Sequence, residues 1–282
     1  MKKLITPYAA DFGKPNVIIN HFPDTESCVE MPGVKTLKNK KTIIYHRLYP
    51  EPEKRLFELL LILSLVKKVT RKIELFVPYL PYARQDKAHR PGEVISADVL
   101  CDILVKNGVK KLITYDCHFL PRPGRFKRAG LNIENFSAGK MLVAHAKKVF
   151  GKDAFTVIAP DQGSSYFIEN AQGHSLHKTR KRLNGESVHS KTYIKKNNIN
   201  VKDKNICILD DIIDTGGTVL KTILHLKEKG AKKVMVGATH GTLSRPKTLE
   251  KILKTTRGRV FVTNSITQEK IKGEKVLSLP RL

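Results

Sequence analysis

Short apolar runs alternate with helical patterns along nearly the whole chain, and this alternation limits the fold more than any other feature. Ile73–Val77, Lys111–Tyr115, Thr156–Ala159, Asn205–Leu209, Val234–Thr239 and Arg259–Thr263 read as strands. Lys54–Lys68 reads as a helix, with Leu56, Leu59, Leu60, Leu63 and Val66 on one face. Ile95–Asn107, Gly139–Phe150 and Thr218–Lys229 have the same spacing, and two of these helices stop at a glycine, Gly108 or Gly230. Such alternation with short links predicts α/β architecture: mainly parallel sheets flanked by helices. The helix-to-strand junction at 106–114 (Lys-Asn-Gly-Val-Lys-Lys-Leu-Ile-Thr) recurs at 228–236 as Glu-Lys-Gly-Ala-Lys-Lys-Val-Met-Val. The repeat predicts two similar halves meeting near residues 135–150, taken as domains 1–138 and 139–282. The polar, basic stretch Gly173–Asn200 is expected to be a mobile loop or exposed hairpin.

Composition narrows the partners. The 282 residues carry 52 basic and 26 acidic side chains, a net charge of +26, which points to anionic partners such as phosphate esters or nucleotides. Nucleic acid is at most a weak, non-specific partner, because the lysines are spread through the chain, aromatics are only 7 %, and no nucleic-acid-binding motif appears. Cys28, Cys101, Cys117 and Cys207 form no C-x-x-C pair, so a thiol zinc site or disulfide scaffold is not expected, and a reducing, cytoplasmic setting is. The apolar run Leu59–Val66 is far below the ~20 residues that span a bilayer. The opening Met1-Lys2-Lys3-Leu4 leads to Pro7, Asp11 and Gly13 rather than to an apolar signal core.

The strongest chemical signal is Ile208-Leu-Asp-Asp-Ile-Ile-Asp-Thr-Gly-Gly-Thr218, an apolar strand running into three acids, a glycine pair and a helix. Open parallel sheets bind ligands at the carboxyl ends of their strands. Glycines let backbone N–H groups close around a phosphate, and the helix N-terminus adds about half a positive charge. Asp210 and Asp211 are suited to accept from sugar hydroxyls. The turn therefore fits a phosphorylated sugar. No G-x-x-x-x-G-K-[ST] and no G-x-G-x-x-G is present, so a Walker loop and a dinucleotide fingerprint are excluded.

This turn resembles the phosphoribosyl-diphosphate motif of type I phosphoribosyltransferases. Val77-Pro-Tyr-Leu-Pro-Tyr-Ala-Arg-Gln-Asp-Lys87 with Val94-Ile-Ser-Ala97, and Phe22-Pro-Asp-Thr-Glu26, resemble signatures of the ribose-phosphate diphosphokinase family. Ala159-Pro-Asp-Gln-Gly163, Thr239-His-Gly241 and Val262-Thr-Asn264 follow in the family's order, so the resemblance runs from about Phe22 to about Leu279. It implies two phosphoribosyltransferase-type domains, ATP on the N-terminal side and ribose 5-phosphate on the C-terminal side, with the last ~15 residues packing back on the first domain. It also implies a reaction: the β,γ-diphosphoryl group of Mg-ATP passes to the 1-hydroxyl of ribose 5-phosphate.

The residues follow from the match. Phe22, Asp24, Glu26, Arg84, Gln85, Asp86 and His118 are the implied ATP-binding set; Asp86 and Lys87 read equally well as a solvated charge pair. Arg180, Asp210, Asp211, Asp214, Thr215, Gly216, Gly217 and Thr218 are the implied ribose 5-phosphate set. Asp161, Gln162, Gly163 and Ser164 form the implied diphosphate loop, and His118 and Asp161 the implied Mg2+ ligands. From the strand end alone, Asp116 and His118 are expected to share one face of an extended chain. Lys178 and Arg180 are the implied catalytic pair, in the frame that also places Val188; Arg180–Arg182 is the alternative frame. The family resemblance implies a homo-oligomer, a dimer or larger. The stretch before Phe22 is shorter than in the family and predicts a trimmed first strand or helix, while Phe119–Phe126 departs from the family pattern. A catalytically silent regulatory relative would lack these catalytic candidates, and a base phosphoribosyltransferase would not need the Tyr82–Lys87 string.

Overall fold

The computed structural model describes residues 1–160, 174–175, 200–266 and 274–280. They form two compact units. Unit 1 is Met1–Ser137 with the described residues of Ser265–Thr267 and Pro280–Leu282; unit 2 is Ala138–Asn264 with those of Gln268–Leu279.

Unit 1 is built on a six-stranded sheet in the order β1-β4-β5-β6-β8-β7. Its strands are β1 (Lys2–Ile5), β4 (Thr42–Tyr45), β5 (Ile73–Phe76), β6 (Val109–Tyr115), β7 (Gly124–Arg128) and β8 (Leu131–Phe136). All neighbours are parallel except the β7–β8 hairpin. β2 (Ile18–His21) and β3 (Ser27–Glu30) pair antiparallel as a separate hairpin. The expected trimmed start is not found: β1 pairs in full with β4, and a 3-10 turn covers Pro7–Phe12.

One face of this sheet presents Ile44, Leu75, Leu112 and Ile133 to the apolar faces of two helices. These are α1 (Pro52–Val66), through Leu59, Ile62, Leu63 and Val66, and α2 (Ser96–Lys106), through Leu100 and Leu104. The opposite face carries an aromatic row that pattern reading did not anticipate. β4, β5, β6 and β8 end on Tyr45, Phe76, Tyr115 and Phe136, with successive ring centroids 5.1, 6.4 and 5.7 Å apart. Because side chains alternate along a strand, one residue of register decides which face gets the rings.

Unit 2 repeats the scheme in the order β10-β9-β11-β12-β13-β14, all pairs parallel. The strands are β9 (Phe155–Ala159), β10 (His174–Ser175), β11 (Asn205–Ile213), β12 (Lys233–Gly241), β13 (Val260–Thr263) and β14 (Glu274–Leu277). They are flanked by α3 (Gly139–Phe150), α4 (Gly217–Glu228) and α5 (Pro246–Thr256). Ile206, Ile208, Val234, Val236, Val260 and Val262 pack with Val219, Ile223 and Leu226 of α4 and Leu249 and Ile252 of α5. Such strands are apolar nearly throughout because both faces are covered.

The repeated junction has one structural role in both units. Gly108 follows α2 at φ 93° and leads into β6; Gly230 follows α4 at φ 84° and leads into β12. Each N–H closes a tight turn, Gly108 on the Val105 carbonyl and Gly230 on the Lys227 carbonyl, both at 2.9 Å. Positive φ is where glycine costs least. The expected loop or hairpin at Gly173–Asn200 lies outside the described residues except for β10 and Asn200.

Candidate active site

Asp210–Thr218, the Arg84–Asp86 loop and His118 follow the carboxyl ends of parallel strands, where open sheets bind ligands. In unit 2, β11 carries Asp210 half-buried and Asp211 buried near its end. Asp210 Oδ1 accepts from the Asp211 N–H (3.0 Å), and Asp211 Oδ1 accepts from the Ile212 N–H (2.8 Å), which orients both carboxyl groups locally. Asp214 is fixed differently. Its Oδ1 accepts from the hydroxyls of Thr242 (3.0 Å) and Ser244 (2.6 Å), both just after β12. Thr242 and Ser244 were not anticipated, because hydroxyls that brace another residue carry no signal of their own in a sequence.

Gly216 takes φ 70°, ψ −1° and caps α4. A Cβ there would stand 2.8 Å from Ile252 Cδ1 and 3.3 Å from Thr248 Cγ2. Both the left-handed backbone and the closeness of α5 therefore require glycine. The bond from the Leu220 N–H to the Gly216 carbonyl (2.8 Å) opens the helical ladder. The N–H groups of Gly217, Thr218 and Val219 precede that ladder, with the positive end of the helix behind them. Carboxylates and amides thus stand within one strand-turn-helix. Asp161, Gln162, Gly163, Ser164, Lys178, Arg180 and Arg182 lie outside the described residues.

In unit 1 the equivalent connection, from β5 to α2, is long. It holds Arg84 exposed and Gln85 and Asp86 half-buried. Gln85 braces the loop: its Oε1 accepts from the Ser96 hydroxyl (2.7 Å), its carbonyl from the Ala97 N–H (3.3 Å), and its Nε2 donates to Glu93 (3.4 Å). The backbone N–H groups of His89 (2.6 Å) and Arg90 (3.0 Å) hold the Glu93 carboxyl below the usual carboxylate range. Tyr82, at φ 62°, gives its hydroxyl to Glu53; desolvation and then that bond push the phenol up to about 12. The Asp86 carbonyl accepts from Arg128 (2.6 Å), whose guanidinium also pairs with Asp98 (2.7 Å) and lies 4.3 Å from the Phe119 ring centroid.

β5 and β6 are neighbours, so this loop and His118 leave adjacent strand ends. The expectation that Asp116 and His118 share a face is corrected. β6 ends at Tyr115, and Asp116 turns to φ 36° with its N–H on the Phe136 carbonyl (2.8 Å). Asp116 is fully buried and His118 is exposed. Phe22–Glu26 forms the turn of the β2–β3 hairpin, with the Phe22 N–H on the Glu26 carbonyl (2.9 Å) and Asp24 Oδ1 accepting from the Glu26 N–H (3.1 Å). Phe22 is 55 % exposed. A residue that pattern reading missed is Arg47, just after β4. It is buried, chelates the Asp11 carboxylate at 2.7 and 2.8 Å, and donates to the carbonyls of Tyr8 (2.6 Å) and Ser265 (3.3 Å).

Among the described residues no cluster of three or more His, Cys, Asp or Glu side chains could hold a metal. No described helix is long and apolar enough to cross a membrane.

Two mainly parallel sheets with acid-bearing and glycine-bearing turns at their carboxyl ends define a phosphoribosyltransferase-type protein with two such domains. Residues 9–108 match the family model for the N-terminal domain of ribose phosphate pyrophosphokinase, and residues 156–277 match the phosphoribosyl transferase domain. Ribose-phosphate pyrophosphokinase of Mycoplasma genitalium is 30 % identical over 266 residues, covering 92 % of this chain and 78 % of that protein. The enzyme of Ureaplasma parvum is 30 % identical over 272 residues, covering 93 % and 79 %. The crystal structure of phosphoribosylpyrophosphate synthetase from Mycobacterium smegmatis superposes with a TM-score of 0.79 at 25 % identity, covering 99 % of this chain and 95 % of that one. The chain belongs to the ribose-phosphate pyrophosphokinase family.

Proposed function

We propose that the chain transfers the β,γ-diphosphoryl group of ATP to ribose 5-phosphate, giving 5-phosphoribosyl 1-diphosphate and AMP. The anomeric hydroxyl oxygen attacks the β-phosphorus and releases its proton to water, the bond from that phosphorus to the α-β bridging oxygen breaks, and AMP leaves with that oxygen. Such transfers rest on positioning and charge neutralisation more than on covalent catalysis. The observation that carries the reading is the Asp210–Thr218 turn, in which two carboxylates near the end of β11 are followed, across one short connection, by left-handed Gly216 and the amides that open α4.

In this reading the amides of Gly217 and Thr218 with the Thr215 and Thr218 hydroxyls bind the 5-phosphate, and Asp210 and Asp211 take the ribose hydroxyls. Asp214 braces the turn through Thr242 and Ser244. Phe22, Asp24, Glu26, Arg84, Gln85 and Asp86 form the nucleotide side. Asp161, Gln162, Gly163 and Ser164 cradle the transferred diphosphate, while Lys178 and Arg180 offset charge that grows in the transition state. His118 and Asp161 would hold Mg2+, which would neutralise triphosphate charge when bound. The working protein is a homo-oligomer of the cytoplasm.

The test is to incubate the chain with Mg-ATP and ribose 5-phosphate and follow AMP and the sugar diphosphate by chromatography. Equal amounts of both are expected, with loss of both under excess chelator. Binding of both substrates with no AMP formed would favour a catalytically silent regulatory subunit.

A further inference from the structure

A buried carboxylate grips the base of the turn that carries Phe22, Asp24 and Glu26. Glu58, on α1, is completely buried. Its Oε1 meets His21 Nε2 at 2.9 Å and accepts from the hydroxyls of Tyr8 (3.1 Å) and Ser27 (3.2 Å). His21 and Ser27 are not arbitrary partners: they are the last cross-strand pair of the β2–β3 hairpin, immediately before and after the Phe22–Glu26 turn. One oxygen atom therefore ties both strands at the point where the turn begins. The other oxygen, Oε2, has no hydrogen bond among the described residues, and its charge faces the Arg55 guanidinium at 3.5 Å. Arg55 in turn lies 3.3 Å from the Tyr8 ring centroid, and its carbonyl is held by His46 Nε2 at 3.0 Å.

Packing alone does not ask for this arrangement. An apolar side chain would fill the same place on α1 without the desolvation cost of a buried charge. What the carboxylate adds is direction, since it fixes two strands to one helix. The hairpin has only four residue pairs and joins neither larger sheet, and such two-stranded units are marginal alone.

We propose that Glu58 is a positioning residue for the nucleotide: by holding His21 and Ser27 it sets where Phe22, Asp24 and Glu26 stand. The proposal rests on the nucleotide role given above to that turn. Glu58 does not touch substrate and acts through the hairpin.

The test uses the full chain with substrate kinetics and amide hydrogen exchange. Ser27→Ala removes one tie and leaves the carboxylate in place. It should raise the KM for ATP about tenfold, as expected for one lost hydrogen bond to a buried charge, with kcat and the KM for ribose 5-phosphate within about twofold. Exchange of the Phe22 and Thr25 amides should quicken. Ser27→Thr, which keeps the hydroxyl, should restore both readouts. Glu58→Gln should raise the ATP KM further, and the double variant should show less than the summed effect. A merely structural role would lower the melting temperature of Ser27→Ala and leave the ATP KM and the turn's exchange unchanged; that result overturns the proposal. Phe22→Ala separates the two claims. If it leaves the ATP KM unchanged, the nucleotide role of the turn fails, and the proposal with it. If it raises the ATP KM while Ser27→Ala and Glu58→Gln do not, the role of the turn stands and the positioning role of Glu58 fails.

Discussion

The glycine pair that opens α4 makes the sharpest test, because its two members should respond oppositely to the same change. Gly216→Ala places a Cβ on a left-handed residue, at a cost of about 1–2 kcal/mol. The new methyl also stands 2.8 Å from Ile252 Cδ1, and overpacking of that kind costs about 1–3 kcal/mol. Part of the second cost is relieved as Ile252 gives way, so the net loss should be about 2–4 kcal/mol. At about 2–4 °C per kcal/mol, the melting of unit 2 should fall by about 5–15 °C. Gly217 is the first residue of the helix, and among the described residues a Cβ there would find only Thr215 Oγ1, at an ordinary 3.8 Å. Gly217→Ala gains up to about 1 kcal/mol of helix propensity, so its melting temperature should hold or rise. Thermal unfolding by calorimetry and the KM for ribose 5-phosphate complete the comparison. Gly216→Ala should raise that KM at least about tenfold at temperatures where it is folded, because displaced amides lose the equivalent of one charged hydrogen bond. Equal melting temperatures for the two variants would refute the conformational argument. A low-melting Gly216→Ala with an unchanged sugar-phosphate KM would refute the assignment of the turn.

Other outcomes follow from particular contacts. Gly237, in β12, pairs with Leu209 and Phe261; a Cβ there would overlap the Phe261 ring and stand 2.9 Å from Leu209 Cδ2. Gly237→Ala should cost about 1–3 kcal/mol by denaturant titration, and adding Phe261→Leu should recover part of it. Burial lowers the His46 imidazole from 6.5 to about 4. The unfolded chain therefore takes up that proton first, so the contribution to stability is full above about pH 6.5 and is lost as pH falls towards 4, up to about 3 kcal/mol. Urea unfolding of the full chain at pH 7 and 4.5 should show this slope in unit 1, and His46→Gln should flatten it. Lys178→Ala should lower kcat about 10²–10³-fold with little change in ATP affinity, the pattern of a contact made in the transition state. An unchanged kcat would move the catalytic pair to Arg180 and Arg182.

What could be read from residues alone was whatever satisfies a period or a turn rule. α3 begins and ends where its spacing predicts, and the two Gly-Lys-type junctions lie between helix and strand as their repeat implies. α5 went unseen because its apolar stripe is only Leu249, Ile252 and Leu253 among lysines and threonines. β1, β4 and the β2–β3 hairpin went unseen although β5 and β13, equally short, were read; four residues hold too few alternations for the period alone to single out such a strand. At the site, the acids and glycines of Asp210–Thr218 announce themselves by composition. Their supports do not. Thr242, Ser244, Arg128 and Arg47 matter through partners far away in the chain, and a lone hydroxyl or guanidinium has no pattern to betray it. The same long-range pairing misled the reading of Asp116 and His118, since the bond from the Asp116 N–H to the Phe136 carbonyl ends the extended geometry.

The two units place connections of very unequal length at the same topological point, between the strand and the helix that precede the glycine junction. In unit 2 this is Asp214–Gly216, and in unit 1 it is Val77–Ile95. The inequality fits the proposed ligands. A phosphate monoester is bound well by amides converging from one turn, and a short connection with a single left-handed glycine delivers them. A nucleoside triphosphate presents a base, a sugar and a charged chain, which one turn cannot reach. A longer connection costs little extra closure entropy but must be held in shape by its own bonds. Gln85, Glu93 and Arg128 supply those bonds. Side-chain substitutions should therefore damage the unit 1 connection, whereas the unit 2 connection should be most sensitive to changes that alter its backbone.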